Sequence, residues 1–266
     1  MNPHISVIIP VYNGEADLPD LLGCLRSQTL PRESAEYIIV DNNSHDRTLA
    51  VLESAVQDET IVLRPLQERN IQSSYAARNL GIQASRGDLL VFTDADCRPE
   101  PDWLTRLVEP FTTDRVGLVA GEIRALTPTT LLEKYAEKAD TLSQKHTLNH
   151  SFCAYGQTAN LAIRRSVLSE VGLFRPYLTT GGDADLCWRI LRQTEWELAF
   201  ASEAIVCHRH RSTLRQFYNQ WRRYGESNRY LHQLHGVALR RDMTLREYLY
   251  RLARWLAKEL PQQAIA

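Results

Sequence analysis

The triplet Asp94-Ala95-Asp96 carries the strongest chemical signal in the sequence. It follows Leu89–Thr93, an apolar run that is typical of a strand buried on both faces of a sheet. Two carboxylates at the end of a buried strand are costly unless a cation neutralises them. Oxygen ligands suit Mg²⁺ or Mn²⁺, which use one or two protein carboxylates and complete their shell with substrate phosphates. The triplet therefore predicts a divalent metal beside a phosphate, and the alternative is that Asp96 caps a helix around Pro101–Phe111.

A further carboxylate, Asp41, follows the apolar run Tyr37–Val40. At the end of a strand it is placed to accept a hydrogen bond from a nucleobase imide N–H. The alternative is a turn in which Ser44 is the N-cap of the next helix. The first apolar run, Ile5–Val11, ends in the aromatic and polar residue Tyr12. Because ligands of open parallel sheets bind beyond the carboxyl ends of the strands, these strand ends predict one shared site.

The elements that must position these groups alternate between strands and helices. The alternation predicts an α/β fold in which a mostly parallel sheet is flanked by helices. The predicted strands are Ile5–Val11, Tyr37–Val40, Thr60–Leu63, Leu89–Thr93, Val116–Ala120 and Glu197–Val206. Apolar residues at helical spacing separate them, and further helices are predicted at Thr129–Lys145, Ser166–Val171 and Ala184–Arg192.

The charge is distributed unevenly between two parts of the chain. Residues 1–206 carry 19 Lys and Arg against 28 Asp and Glu, whereas residues 207–266 carry 12 against 4. From Ser212 onwards the pattern is helical as well as basic, with a break near His235-Gly236. We therefore predict a catalytic domain over 1–210 and a basic helical C-terminal extension over 211–266.

The last part of this extension has a face that suits a membrane. Over Thr244–Leu260 the apolar residues recur on one side, with arginines elsewhere, a pattern that suits contact with an anionic membrane surface and equally suits packing on protein. The alternative is a helix that packs on its own domain or on a second subunit, as in a homodimer.

The composition argues against several classes of protein. Of 266 residues, 44% are hydrophobic and 24% are charged, which is typical of a globular chain and not of a disordered one. The net charge of −1 does not suit a nucleic-acid binder. Five widely spaced cysteines without a CxxC pair indicate single thiols in a reducing compartment. No apolar run approaches the roughly 18 residues of a membrane span, so we expect a cytoplasmic protein, with any membrane contact peripheral and on the cytoplasmic face.

Five motifs, in their order along the chain, resemble those of the family 2 glycosyltransferases, which have the GT-A fold. The resemblance covers about residues 4–210. It implies transfer of a sugar from a nucleotide-diphosphate sugar donor to an acceptor hydroxyl, lipid-linked or not, in polysaccharide, glycolipid or other glycoconjugate synthesis. The motifs are Val-Ile-Ile-Pro-Val-Tyr-Asn from Val7, Ile-Val-Asp-Asn-Asn-Ser from Ile39, Ala-Arg-Asn-Leu-Gly from Ala77, Phe-Thr-Asp-Ala-Asp from Phe92 and Gly-Asp-Ala-Asp-Leu-Cys-Trp-Arg from Gly182.

On the donor side, the resemblance implies a role for each matching residue. Pro10, Tyr12 and Asp41 hold the nucleotide base, and Arg78 faces the nucleotide and its phosphates. Asp94 contacts the ribose.

The resemblance also assigns the metal. Asp96 binds the Mn²⁺ or Mg²⁺ ion on the diphosphate, whose developing charge needs a cation. His208 and His210 follow the last predicted strand and are candidates for a further metal ligand, as in some GT-A enzymes; the alternative is a surface or packing role. Gly156 and Asn160 are candidates for the wall of the donor-sugar pocket, and the alternative is a structural turn.

On the acceptor side, Asp183 matches the general base of the family, which takes the proton of the attacking hydroxyl. One base and direct attack imply inversion at the anomeric carbon. The alternative for Asp183 is an N-cap of the helix that follows. Asp185 stands four residues before Arg189, so we predict a structural ion pair. The sequence departs from the family at Gly182, where many members have an acidic residue.

Two other functions are alternatives to a glycosyltransferase. A catalytically silent nucleotide-sugar-binding module keeps Asp41 and Asp96 but has no open acceptor face beside Asp183. A nucleotidyltransferase is expected to have a glycine-rich, basic phosphate loop after the first strand, where this chain has the acidic segment Tyr12–Asp17. The Gln-x-x-Arg-Trp signature of processive synthases is missing, which favours a non-processive enzyme.

Overall fold

One mixed sheet of eight strands forms the centre of the protein. The computed structural model describes residues 5–57, 60–139, 141–238 and 243–259. Its strands are β1 (Ile5–Val11), β2 (Ala35–Asp41), β3 (Val62–Gln67), β4 (Leu89–Phe92), β5 (Cys97–Pro99), β6 (Val116–Ala125), β7 (Leu161–Arg164) and β8 (Glu197–His208). They lie in the order β3-β2-β1-β4-β7-β6-β8-β5.

Helices cover both faces of this sheet. They are α1 (Leu18–Arg26), α2 (Thr48–Ala55), α3 (Ser74–Ala84), α4 (Trp103–Val108), α5 (Leu131–Lys138), α6 (Gln144–Leu148), α7 (Arg165–Val171), α8 (Gly182–Gln193), α9 (Leu214–His235) and α10 (Leu245–Arg254). Alternate residues of β1 enter different cores: Val7 and Ile9 pack with α1 and α4, whereas Ile8 packs with Phe92 and with Leu186 of α8. The near-continuous apolar runs in the sequence follow from this double burial.

The arrangement of strands confirms the predicted α/β sheet flanked by helices. Strands β3, β2, β1 and β4 are parallel neighbours, so their carboxyl ends lie at one edge. Beyond β4 the sheet is mixed, because β7 runs antiparallel to both β4 and β6, and β5 runs antiparallel to β8.

Several predicted boundaries were wrong. The third strand is Val62–Gln67 and not Thr60–Leu63. The helix predicted over Thr129–Lys145 is divided into α5 and α6, and between them Leu142 has a φ of 70°, which a continuous helix does not allow. The short strands β5 and β7 were not predicted as strands of the sheet.

Helix α9 packs against the catalytic part of the chain. It begins behind a capping box of Thr213 and Gln216 and ends at Gly236, whose φ is 69°. Its buried residues Ser227 and Leu231 face Gly181, the residue that precedes α8. The predicted helix break at His235-Gly236 is confirmed.

Helix α10 has no buried residue. Its apolar side chains are largely exposed, from 53% for Leu252 to 75% for Leu245. A π-helical turn, Trp255–Glu259, continues it, and the predicted end at Leu260 lies outside the described residues. Within the described ranges, no helix has the length and apolar character needed to cross a membrane.

Candidate active site

The ends of β1 and β2 form one wall of the site. Val11 pairs with Asp41 in the sheet, and the Asn42 N–H donates to the Val11 carbonyl at 2.8 Å. Asp41 is 5% exposed, and one of its carboxylate oxygens accepts the Ser44 N–H at 3.1 Å. Tyr12 is 51% exposed, so its ring is open to a ligand beside this carboxylate.

The loops after these two strands are tied together. Asn13 has a φ of 50°, and its N–H donates to the Ser44 hydroxyl at 2.8 Å. Its amide oxygen accepts the His45 N–H at 2.8 Å. Ser44 is therefore structural, but the prediction that it caps α2 was wrong, because that helix begins only at Thr48. Pro10 is buried within β1 one residue before this wall.

Asp94 lies at the end of β4 and binds Arg78 of α3. The guanidinium Nη2 of Arg78 is 2.5 Å from Asp94 Oδ1, and the Arg78 side chain is 3% exposed against 30% for Asp94. Arg78 also lies over the Tyr75 ring, 5.4 Å from its centroid. In this arrangement Arg78 is buried behind Asp94, so a donor meets the carboxylate before the guanidinium.

Asp96 lies beside His208 at the end of β8. His208 Nε2 is 3.3 Å from Asp96 Oδ1, and Nη1 of Arg211 is 3.5 Å from Asp96 Oδ2. The Cys97 thiol completes a group whose potential ligand atoms lie within 4.8 Å of one another. The alternative for Asp96, a helix cap, does not hold because Asp102 occupies the N-cap position of α4.

The Asp96 group fits a divalent metal. Burial, together with Asp96 and Asp94, raises the pKa of the Cys97 thiol well above its usual range, which disfavours the thiolate form. Asp96 and His208 therefore supply one oxygen and one nitrogen. The Nδ1 atom of His208 is buried without a hydrogen-bond partner among the described residues.

His210 is separate from this pair. Its ring centroid is 6.2 Å from that of His208, and it does not belong to the group of candidate ligands found among the described residues. It lines a cavity of about 700 Å³, together with Cys24 and Arg98. Burial, followed by His208, lowers its pKa. His210 thus lies outside the candidate metal group, and its role as a ligand stays a prediction.

Asp183 is the second residue of α8 and is partly buried. The helix begins at Gly182 behind Gly181, whose φ is 75°, so Asp183 is not the N-cap. Burial raises the pKa of its carboxyl above the usual range, and Arg78 and nearby backbone N–H groups act in the opposite direction. A carboxylate whose pKa is raised by burial at the start of α8 is suited to accept a proton.

Asp185 has a different environment two residues later. It is fully buried and binds Arg189 at 3.1 Å, Arg175 at 3.1 Å and His235 of α9 at 2.8 Å. The predicted i,i+4 ion pair is confirmed.

Asn160 joins strands of the sheet, and Gly156 packs closely against the sheet. The Asn160 amide donates to the carbonyls of Glu122 and Ala204 and accepts from the Trp103 indole. Asn160 is fully buried, and a Cβ at Gly156 would meet Leu161 at 2.6 Å. Both residues thus follow the structural alternative.

Sequence reasoning missed the aromatic residues around Asp183. The hydroxyl of Tyr75 on α3 is 3.4 Å from Asp183 Oδ1, and the Asp183 charge contributes to raising the pKa values of Tyr155 and Tyr224. The spacing of Tyr75 and Arg78, three residues apart on a helix, was the available signal, since such residues share a face.

Comparison with known proteins decides the family. The profile of glycosyl transferase family 2 matches residues 6–172, more than half of the chain. The chain belongs to glycosyl transferase family 2. This family 2 glycosyltransferase is 34% identical over 247 residues to the glycosyltransferase AglE of Haloferax volcanii, covering 91% of this chain and 79% of that protein.

Two other proteins extend the comparison. The undecaprenyl-phosphate 4-deoxy-4-formamido-L-arabinose transferase of Pseudomonas aeruginosa is 32% identical, over 69% of this chain and 55% of its own length. A mannosyltransferase of Pyrobaculum calidifontis, solved with GDP-Man and Mn²⁺, has a TM-score of 0.67 at 18% identity, covering 100% of this chain and 74% of that one. The second likeness shows the GT-A fold, and neither comparison supports a silent binding module or a nucleotidyltransferase.

Proposed function

We propose that this family 2 glycosyltransferase transfers sugar with inversion and that Asp183 is its general base. The observation that carries the proposal is the placement of Asp183 within electrostatic reach of Arg78, whose guanidinium binds Asp94. The Arg78 charge thus acts on two carboxylates, Asp183, which we propose for the acceptor side, and Asp94, which we propose for the donor side. The raised pKa of Asp183 suits a group that must take a proton near neutral pH.

The proposed reaction balances as a single displacement. The acceptor oxygen attacks the anomeric carbon, and its proton passes to a carboxylate oxygen of Asp183. The bond between the anomeric carbon and the phosphate oxygen breaks, and its electron pair leaves with the nucleoside diphosphate. Pro10, Tyr12 and Asp41 hold the base, and Asp94 holds the ribose.

We assign the divalent metal to Asp96 and His208. Bound there, a metal ion supplies positive charge to the diphosphate as it leaves. An imidazole beside a carboxylate favours Mn²⁺ over Mg²⁺, which prefers oxygen ligands alone. Arg211 now contacts Asp96 at 3.5 Å, so it must move or share this carboxylate when metal binds.

The test compares Asp183→Asn with wild type. A thermal-shift screen of nucleoside diphosphates and their sugars with Mn²⁺ first identifies the donor, because a ligand that binds the folded state raises Tm. Donor hydrolysis, with water as the acceptor, then measures the chemistry. We expect Asp183→Asn to keep the donor-dependent shift and to lose about 10²–10⁴-fold in rate. The exposed Glu195→Gln is the control, and a near-normal rate for Asp183→Asn would overturn the base assignment.

We also propose that the protein is cytoplasmic and that α10 contacts an anionic membrane on its cytoplasmic face. Leu245, Leu249 and Leu252 of α10 are each more than half exposed. Residues 207–266 have a net charge of +8, which complements anionic lipid headgroups. Residues 1–206 have a net charge of −9 and would be repelled, so the proposed contact depends on the extension.

Vesicle sedimentation of the full chain tests this contact. We expect binding to vesicles of phosphatidylcholine and phosphatidylglycerol in equal parts, weaker binding at high salt, and none to phosphatidylcholine alone. Leu249→Ser should weaken the binding, whereas Leu131→Ser, at a leucine of α5 that is 84% exposed, is the matched control and should leave it unchanged. The homodimer alternative makes a different prediction. Sedimentation equilibrium would then give twice the monomer mass at low and high salt, and the protein would not bind vesicles.

A further inference from the structure

Tyr75 is the residue of α3 nearest to the proposed base. Its side chain is 5% exposed, and its ring stacks on Phe174 with centroids 5.5 Å apart. Its hydroxyl oxygen accepts the Gly182 N–H at 2.9 Å. The hydroxyl proton has Asp183 Oδ1 as its acceptor, at 3.4 Å. This distance is long for an O–H···O bond, as is common in unliganded active sites.

The glycine before Asp183 is explained by the same ring. A Cβ at Gly182 would lie 2.7–2.8 Å from three atoms of the Tyr75 ring, closer than side chains tolerate. Tyr75 therefore fills the space in which an acidic side chain at this position would begin. The glycine at position 182, where many family members have an acidic residue, is therefore explained by the Tyr75 ring that packs against it.

We propose that Tyr75 is a positioning residue for Asp183. Its hydroxyl, oriented by the Gly182 N–H, donates to the carboxylate, aims it at the acceptor and stabilises its charged form. The inference rests on the proposed function of Asp183 as the base.

The protonation of Tyr75 supports this role. Burial, followed by the neighbouring Asp183, raises the pKa of the Tyr75 hydroxyl well above its usual range, so it remains a donor at every working pH. A hydrogen bond to the charged form of a carboxylate opposes the effect of burial, which raises the pKa of Asp183.

Helix α3 also connects the two sides of the site through Tyr75. Arg78, one turn later, lies over the Tyr75 ring and binds Asp94. A displacement of the Tyr75 ring would therefore disturb both Asp183 and the buried guanidinium. Tyr75→Phe is the informative substitution because it keeps the ring contacts and removes only the hydroxyl.

The first measurement needs no substrate. Titration of ¹³C-labelled aspartate carboxyls by NMR, with Asp183→Asn to assign the signal, reports the protonation of Asp183 directly. In Tyr75→Phe we expect its midpoint to rise by about one pH unit, since a hydrogen bond to a charged group is lost. Tyr37→Phe is the control, because it removes another buried hydroxyl, one that donates to Leu25. An unchanged midpoint would overturn the proposal.

Gly182→Ala provides a second variant if Tyr75→Phe does not fold. The added methyl group must push the Tyr75 ring away, so the Asp183 midpoint should rise as in Tyr75→Phe. The double variant should show no further rise, since both changes break one contact. Additive effects would contradict the proposal.

The kinetic measurement separates this proposal from the proposed function. In donor hydrolysis, Tyr75→Phe should move the acidic limb of kcat to higher pH and lower kcat more than it raises the KM for donor. If Asp183→Asn stays active, the base assignment fails, whatever the NMR result. If Asp183→Asn is inactive and the limb of Tyr75→Phe does not move, only the positioning role fails.

Discussion

Asp185→Asn is expected to destabilise the protein strongly, although it lies only two residues from the proposed base. The carboxylate is fully buried between Arg175, Arg189 and His235. The Arg189 side chain is itself 8% exposed. Asparagine keeps the shape and one acceptor oxygen, but it leaves the Arg189 charge buried without its counterion.

The size of the effect follows from that burial. Removing one partner of a buried ion pair costs about 3–5 kcal/mol. Arg189 still donates to the carbonyls of Val171 and Leu173, so we expect the lower end, about 3 kcal/mol. For a chain of this size each kcal/mol lowers Tm by about 2–4 °C, which gives a fall of roughly 6–12 °C.

Urea unfolding followed by circular dichroism measures the change in the free energy of unfolding. Asp102→Asn is the matched control, because Asp102 also pairs with an arginine four residues later at 3.1 Å, but both side chains are more than 40% exposed. An exposed pair of this kind contributes about 0–1 kcal/mol. If Asp185→Asn costs no more than Asp102→Asn, the argument from burial is wrong.

A double variant sharpens the same test. Replacing Asp185 with Leu and Arg189 with Met removes both buried charges and should restore much of the stability, since paired removal is often neutral. Failure of the double variant to recover any of the loss would show that shape, and not charge, makes this cluster stabilising.

Three further outcomes follow from the structure. Asp183→Asn should raise Tm at pH 7, because the buried charge is lost. A carboxyl whose pKa is raised in the folded state destabilises that state when it is ionised, so the gain should disappear as the pH falls to about 4. Measurements of Tm as a function of pH check this. Asn160→Ala should cost about 3 kcal/mol in urea unfolding, since two carbonyls and an indole N–H lose their partner, whereas the exposed Asn149→Ala should cost under 1 kcal/mol. His208→Ala should abolish the rise in Tm that Mn²⁺ produces, whereas the exposed His146→Ala should leave it intact, and an undiminished rise would exclude His208 as a ligand.

The placement of the donor-side candidates at one edge of the sheet could be predicted because the information for it is local. Each buried strand is recognised in the sequence as an apolar run, and the strand itself positions the polar residue at the end of that run. Asp41 ends β2 and Asp94 follows β4, and both strands flank β1, so their parallel order brings the two carboxylates to one edge.

The missed features depend on contacts between distant parts of the chain. Strand β5 is Cys97–Pro99, which forms no apolar run, and β7 is antiparallel to both of its neighbours and so falls outside the alternation of parallel strands and helices. The break in Thr129–Lys145 depends on the left-handed conformation of Leu142, for which leucine carries no signal. Tyr75 lies 107 residues before Gly182, and only the packing of α3 against α8 brings them together.

The contrast between Asp183 and Asp185 shows that the face of a helix on which a carboxylate lies determines its environment. Two residues along α8 correspond to a rotation of about 200°, so the two side chains leave the helix on nearly opposite sides. One side meets Tyr75, and there burial raises the pKa of the Asp183 carboxyl. The other meets two arginines and a histidine of α9, which hold the carboxylate in the interior. The same residue type thus becomes a candidate base or a structural anchor according to its face, and α9 fixes the helix that presents both.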